Sequence, residues 1–160
     1  MFQQDHRMNK LGKLVKELER RIPRQDIINP KISTSSVGWH IEHSLLTIDV
    51  IIEALKRSDP SDYKWTFSFT KILVFSMNKI PRGRAQSPAA VRPRNAVSID
   101  TLKNHLYTST KKMQELQTLR PNNYFVHPFF GKLNVKPAIK FIEIHTEHHI
   151  KIIEDILVSR

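Results

Sequence analysis

The sequence predicts an all-α domain. Three observations carry that reading: four glycines in 160 residues, long proline-free stretches rich in Leu, Ile, Lys and Glu, and apolar residues spaced three and four apart within those stretches. With 39% apolar side chains, the chain suits one domain over residues 1–160 with a single continuous core.

From about Gln4 to Ile22, residues Met8, Leu11, Leu14, Val15, Leu18 and Ile22 share a helical face, while Lys10, Lys13, Lys16, Glu17 and Arg20 mostly occupy others. Pro23 and Pro30 bracket a connection, and Ser33-Thr-Ser-Ser36 offers N-caps for a second helix running to about Lys56. That helix has one stripe of Val37, Ile41, Leu45, Ile48, Ile52 and Leu55 and another of Trp39, Leu46 and Val50, which places it centrally. Trp65 to Ile80 predicts a third, shorter helix, with a strand as the alternative because of its β-branched and aromatic content.

The stretch from Pro81 to Pro93, with its neighbour Arg94, holds three prolines, one glycine and four arginines and no acidic residue, the composition of an exposed basic loop. Ser98 caps a further helix that buries Ile99, Leu102, Leu106, Met113, Leu116 and Leu119 and stops before Pro121-Asn-Asn123. The last helix runs from near Asn134 to about Val158, because Pro137 is tolerated only in a first turn.

There is no cysteine, which excludes disulfides, thiolate metal sites and cysteine nucleophiles, so a bound metal needs His, Asp or Glu. No apolar run approaches the ~20 residues of a membrane span and the N-terminus lacks a signal-peptide pattern, which gives the expectation of a cytoplasmic protein without a membrane partner. The formal charge of +11 is spread over several segments. Arg82, Arg84, Arg92 and Arg94 lack interleaved aromatic residues, so the expectation is solubility rather than specific nucleic-acid binding.

Ala138, Ile142, His145, His149, Ile152 and Ile156 fall on one face of the last helix, which points two histidines inward. A four-residue separation lets both imidazoles reach one ion, and an ion satisfies buried ring nitrogens that otherwise need hydrogen-bond partners. Two hydrogen-bonded core histidines are the simpler alternative. A third ligand must come from another helix, where Val37-Gly-Trp-His40-Ile-Glu-His43 supplies two candidates that periodicity does not separate.

Ser36-Val-Gly-Trp-His-Ile-Glu-His43 and His145-Thr-Glu-His148-His149 resemble the two metal-binding segments of the DinB-like superfamily, in which one histidine of the second helix joins a terminal HxxxH pair. His127-Pro-Phe-Phe-Gly131, after Pro81-Arg-Gly-Arg84 and Val91-Arg-Pro93, is similar to an uncharacterised branch of that superfamily. The resemblance covers nearly the whole chain. It implies a four-helix bundle with an additional short helix and a long basic loop, and one divalent metal, zinc or nickel, on His43, His145 and His149. Many members continue the double histidine with Arg-Gly-Gln, whereas this chain has Ile150-Lys-Ile152 and lacks those polar contacts.

The resemblance further implies a metal-dependent enzyme, either an S-transferase joining a low-molecular-weight thiol to a small electrophile or a hydrolase. The other reading is a noncatalytic, metal-stabilised module whose basic loop binds an anionic partner. A homodimer is compatible with either. Glu42 is weighed as a general base against a solvated helix carboxylate, and Glu143 and Glu147 are expected to face solvent or orient a neighbour. His148 is expected at the surface or beside the ligands, His127 with Phe129 and Phe130 at a cavity mouth or packed under a loop, and His6 and His105 at the surface.

Overall fold

In the computed structural model, residues 2–83, 87–94 and 97–158 are described, with side chains from Met8 onward. The His6 side chain and Arg84 therefore lie outside the described residues. Helix α1 spans Phe2–Glu19, α2 Val37–Arg57, α3 Phe69–Met77, α4 Ile99–Glu115 and α5 Val135–Val158. Each of the four long helices packs on two others: α2 on α4 and α5, α1 on the same two. No helix among the described residues is long and apolar enough to cross a membrane.

Local chemistry sets the helix ends. Ser36 begins α2 by accepting a hydrogen bond from the Trp39 amide at 3.1 Å, and Ser98 begins α4 in a reciprocal capping box with Thr101. Pro137 sits in the first turn of α5, where its missing N–H costs no helical hydrogen bond. Leu11, Val15 and Leu18 of α1 are buried as the spacing predicts, and so are Leu102, Met113 and Leu116. Ile99 and Val50, read from sequence as buried, are exposed; Ile99 lies in a first turn and Val50 on the outer side of α2.

Two expectations need correction. The domain is mostly helical rather than all-α, because Tyr124–His127 (β1) and Gly131–Asn134 (β2) pair antiparallel, with His127 opposite Gly131. The three-residue loop Pro128–Phe130 leads into Gly131 at φ 69, a left-handed backbone that glycine adopts without strain. The third helix is also shorter than the Trp65–Ile80 stretch. Ser68 caps its start and Asn78, at φ 49, ends it, while Thr66 lies beside β2 and accepts a hydrogen bond from the Lys132 amide at 3.2 Å.

The core divides in two along α5. Residues up to Ile144 join Ile48, Ile51, Ile52 and Leu55 of α2, and residues from Ile150 join Ile41 and Leu45. Between these apolar clusters lies a polar layer of His40, His43, Ser44, Thr47, His145, Thr146 and His149. The histidine chemistry is concentrated there.

Candidate metal centre

His43, His145 and His149 each bring a ring nitrogen to one point, the three atoms lying within 4.8 Å of one another. Helix geometry accounts for two of them, since positions four apart on α5 stack on one face, and α2 supplies the third across the core. This cluster could hold a metal ion. His40 is equally buried, yet it stands behind His149 rather than in the cluster.

The hydrogen bonds fix how these rings are held. His43 Nδ1–H donates to the Val91 carbonyl at 2.7 Å, which leaves the Nε2 lone pair facing His145 Nε2 at 3.2 Å. Trp39 stacks on the His43 ring, with centroids 5.0 Å apart and planes 15° off parallel. Nδ1 of His149 lies 3.0 Å from Nδ1 of His40, whose Nε2 lies 3.0 Å from Ser33 Oγ. Thr47 Oγ donates to the His43 carbonyl, and Ser44 Oγ to that of His40.

Electrostatics keep the layer uncharged. Burial pushes His40 down to about 4 and holds His145 and His149 well below the usual histidine value, with neighbouring imidazoles adding to the effect. Burial lowers His43 as well, against the opposing pull of the Val91 hydrogen bond. Neutral rings carry the lone pairs that a cation requires. Among the described residues, buried His145 Nδ1 and Thr146 Oγ have no hydrogen-bond partner, and no carboxylate enters the cluster.

The surroundings revise several expectations. The basic loop is not wholly exposed: its 3₁₀ turn Ala89–Val91 packs on α2, Val91 is buried, and Arg82 pairs with Asp155 at 2.7 Å. Glu42 neither serves the cluster nor stands free in solvent, because it accepts a hydrogen bond from His105 Nδ1 at 2.9 Å. His105 is not an isolated surface residue; its Nε2 is 3.5 Å from Asp49, which Lys112 also contacts. Glu143 is buried rather than solvent-facing and lies 3.9 Å from Lys10, which also pairs with Glu147.

His148 is half-buried, its ring meeting that of His149 edge-on. His127 belongs to β1 and packs: its ring stacks on Phe130 at 4.0 Å and meets Phe141 edge-on, and Phe141 in turn abuts His145. Phe130 is buried while Phe129 is exposed. His145 as a whole residue is partly buried, while its Nδ1 is buried. Two surface clefts of the described residues, of about 600 and 310 Å³, do not reach the histidines.

Compared with protein-family models, curated proteins and solved structures, the chain matches none. Sequence reasoning found the cluster but missed the Val91 carbonyl, Ser33 and the carboxylates around His105. The Tyr-Phe-Val run before Pro128 and Gly131 was the signal for the hairpin.

Proposed function

We propose that this chain is a DinB-like four-helix bundle that binds one divalent metal ion, zinc or nickel, through His43, His145 and His149. The observation that carries the reading is the convergence of three neutral imidazoles within 4.8 Å, with no acidic group among them. Such a ligand set suits borderline transition metals, whereas calcium and magnesium require oxygen ligands. When bound, an ion with three protein ligands supplies Lewis-acid chemistry to an exogenous thiol or water at a remaining position.

The chain's own residues would orient the ligands. Val91 holds the His43 tautomer through its carbonyl. His149 would present Nε2 to the ion if its Nδ1–H donates to His40, which would in turn donate through Nε2–H to Ser33 Oγ; this relay satisfies every ring nitrogen involved. Phe141 walls the side next to His145, and three protein ligands would leave a coordination position for exchange. On this basis we favour a metal-dependent enzyme, an S-transferase-like protein or a hydrolase.

A noncatalytic module in which the ion ties α2 to α5 is favoured by one observation. His43 and His149 are only 2% and 8% exposed, so an ion between them would be largely enclosed. Metal titration of the wild type and five single alanine variants tests the binding reading. Changing His43, His145 or His149 lowers affinity by about 100-fold or more, and changing His148 lowers it far less. His40→Ala, which removes an orienting contact only, gives an intermediate loss of about tenfold. Normal binding by His43→Ala would refute the assignment. Metal-dependent conjugation of a small thiol, absent in His149→Ala, separates enzyme from module.

A further inference from the structure

Between Asp62 and Asp100 the chain has seven Lys or Arg residues and no Asp or Glu. Within this stretch α3 is built inside out. A short amphipathic helix normally turns its apolar stripe to the core, but here Phe69, Ile72, Leu73 and Met77 recur at spacings of three and four on the face turned to solvent. Phe69 is 72% exposed, and the preceding Trp65 and Phe67 are 65% and 68% exposed. Only Val74 is buried, with Phe75 against Phe130 beside it.

The helix is nevertheless held in place. Ser68 Oγ donates to the Phe129 carbonyl at 3.0 Å and Lys71 Nζ donates to the Thr66 carbonyl at 2.8 Å, so the exposed face is presented rather than loose. Lys71 also lies over the Trp65 ring at 5.1 Å, which joins the extended segment and α3 into one patch. α3 packs extensively against none of the other elements. A patch of six large apolar side chains is on the order of several hundred Å², at the upper end for a monomer surface.

Charge decides the occupant. Lys64, Lys71 and Lys79 border the patch and form no ion pair among the described residues. A second copy would set these cations against their equivalents on a chain of net charge +11. The patch is the outward face of a short helix whose apolar side chains are 46–72% exposed, and it lines neither described cleft, which favours a broad surface over a groove-bound peptide. An anionic lipid surface meets every feature: it takes up Phe, Leu and Met at the acyl boundary, Trp at the headgroups, and lysines that reach back to lipid phosphates.

We propose that α3 and the Trp65–Phe67 segment seat the protein flat on an anionic membrane surface, without crossing it. The sequence expectation of no membrane partner rested on the lack of a spanning segment, whereas the exposed face of α3 is a tertiary feature. Apolar burial and the attraction of each nearby lysine to anionic headgroups act together in such binding. The seating does not depend on metal at the histidines.

The test is co-sedimentation of the full chain with vesicles of phosphatidylcholine alone or mixed with phosphatidylglycerol, read alongside tryptophan emission. Expected are binding to mixed vesicles that weakens with salt, little binding to neutral ones, and an emission blue shift that Trp65→Phe abolishes. The double variant Ile72→Ser, Leu73→Ser changes exposed residues only, so it keeps the wild-type circular dichroism, and it loses about tenfold or more in vesicle affinity. Lys64→Gln, Lys79→Gln likewise weakens binding to the mixed vesicles. Absence of vesicle binding overturns the proposal. So does equal binding by the serine variant, which would be adsorption by charge alone, or a wild-type dimer in sedimentation that the serine variant dissociates, which would make a second copy the occupant.

Discussion

The His43 imidazole donates through Nδ1–H to the Val91 carbonyl at 2.7 Å, which ties the middle of α2 to the basic loop. His43→Phe keeps an aromatic ring for Trp39 to stack on but removes the donor, leaving a buried carbonyl unpaired at a cost of about 1–3 kcal/mol. The loop should then release. With both proteins metal-free, trypsin cleavage after Arg94 is expected to accelerate severalfold over the wild type, and an unchanged rate would show that the hydrogen bond does not hold the loop.

His105 bridges α4 to α2 and should make stability depend on alkaline pH. Burial opposes its charge, but the hydrogen bonds His105 donates to Asp49 and Glu42 outweigh that and raise it to about 9. Because the folded value lies above the unfolded one, the stabilisation is complete below about pH 6.5 and is lost as pH rises through about 9. Partial exposure limits it to about 1–2 kcal/mol. Urea midpoints between pH 6 and 9.5 should fall for the wild type and stay flatter for His105→Gln.

Asn123 closes the far end of α2. Its Nδ2 donates to the carbonyls of Leu55 and Ser58 at 3.0 Å each, and its Oδ1 accepts from the Arg120 amide. Substitution by Ala removes a donor from the part-buried Ser58 carbonyl and one of three from the Leu55 carbonyl, which keeps the Ser58 amide and hydroxyl, and should cost about 1 kcal/mol in chemical denaturation. Asn123→Asp, which keeps the acceptor but not the donors, should recover little of that loss.

Gly38 lets the start of α2 meet its neighbours closely. A Cβ there would stand 2.9 Å from both Gln25 Oε1 and Val97 Cγ2, and the Gly38 amide already donates to the Gln25 carbonyl. Gly38→Ala gains helix propensity yet should still destabilise by about 1–3 kcal/mol, since one contact must open. A rise in melting temperature would show that the Gln25 side chain swings aside freely.

What was legible in the sequence follows from where the signal resides. The inward aim of His145 and His149 was readable because α5 alternates apolar and polar positions cleanly. His40 and His43 were not separable, since the first half of α2 is buried on almost every side, from Val37 through Thr47. Val91 acts through its backbone, which leaves no mark on residue identity. His105 finds Glu42 and Asp49 only through the packing of α4 on α2, although two carboxylates seven apart already share a helix face. The stripe of α3 was visible as apolar periodicity, but whether a stripe meets a partner is a tertiary property.

The separation of the histidines along the chain has a thermodynamic consequence. His43 and His145 stand 102 positions apart yet meet at 3.2 Å. An ion ligated by both would close a loop of that length in a chain without cysteine, acting on the unfolded ensemble as a disulfide does. Closure of about 100 residues restricts the denatured chain by roughly 4–5 kcal/mol in the entropic account, provided the ligands stay on the ion during unfolding. Where they let go, ligand affinity itself becomes folding free energy. With an ion bound, the histidine layer would thus supply a reversible cross-link, set by metal supply rather than by oxidation.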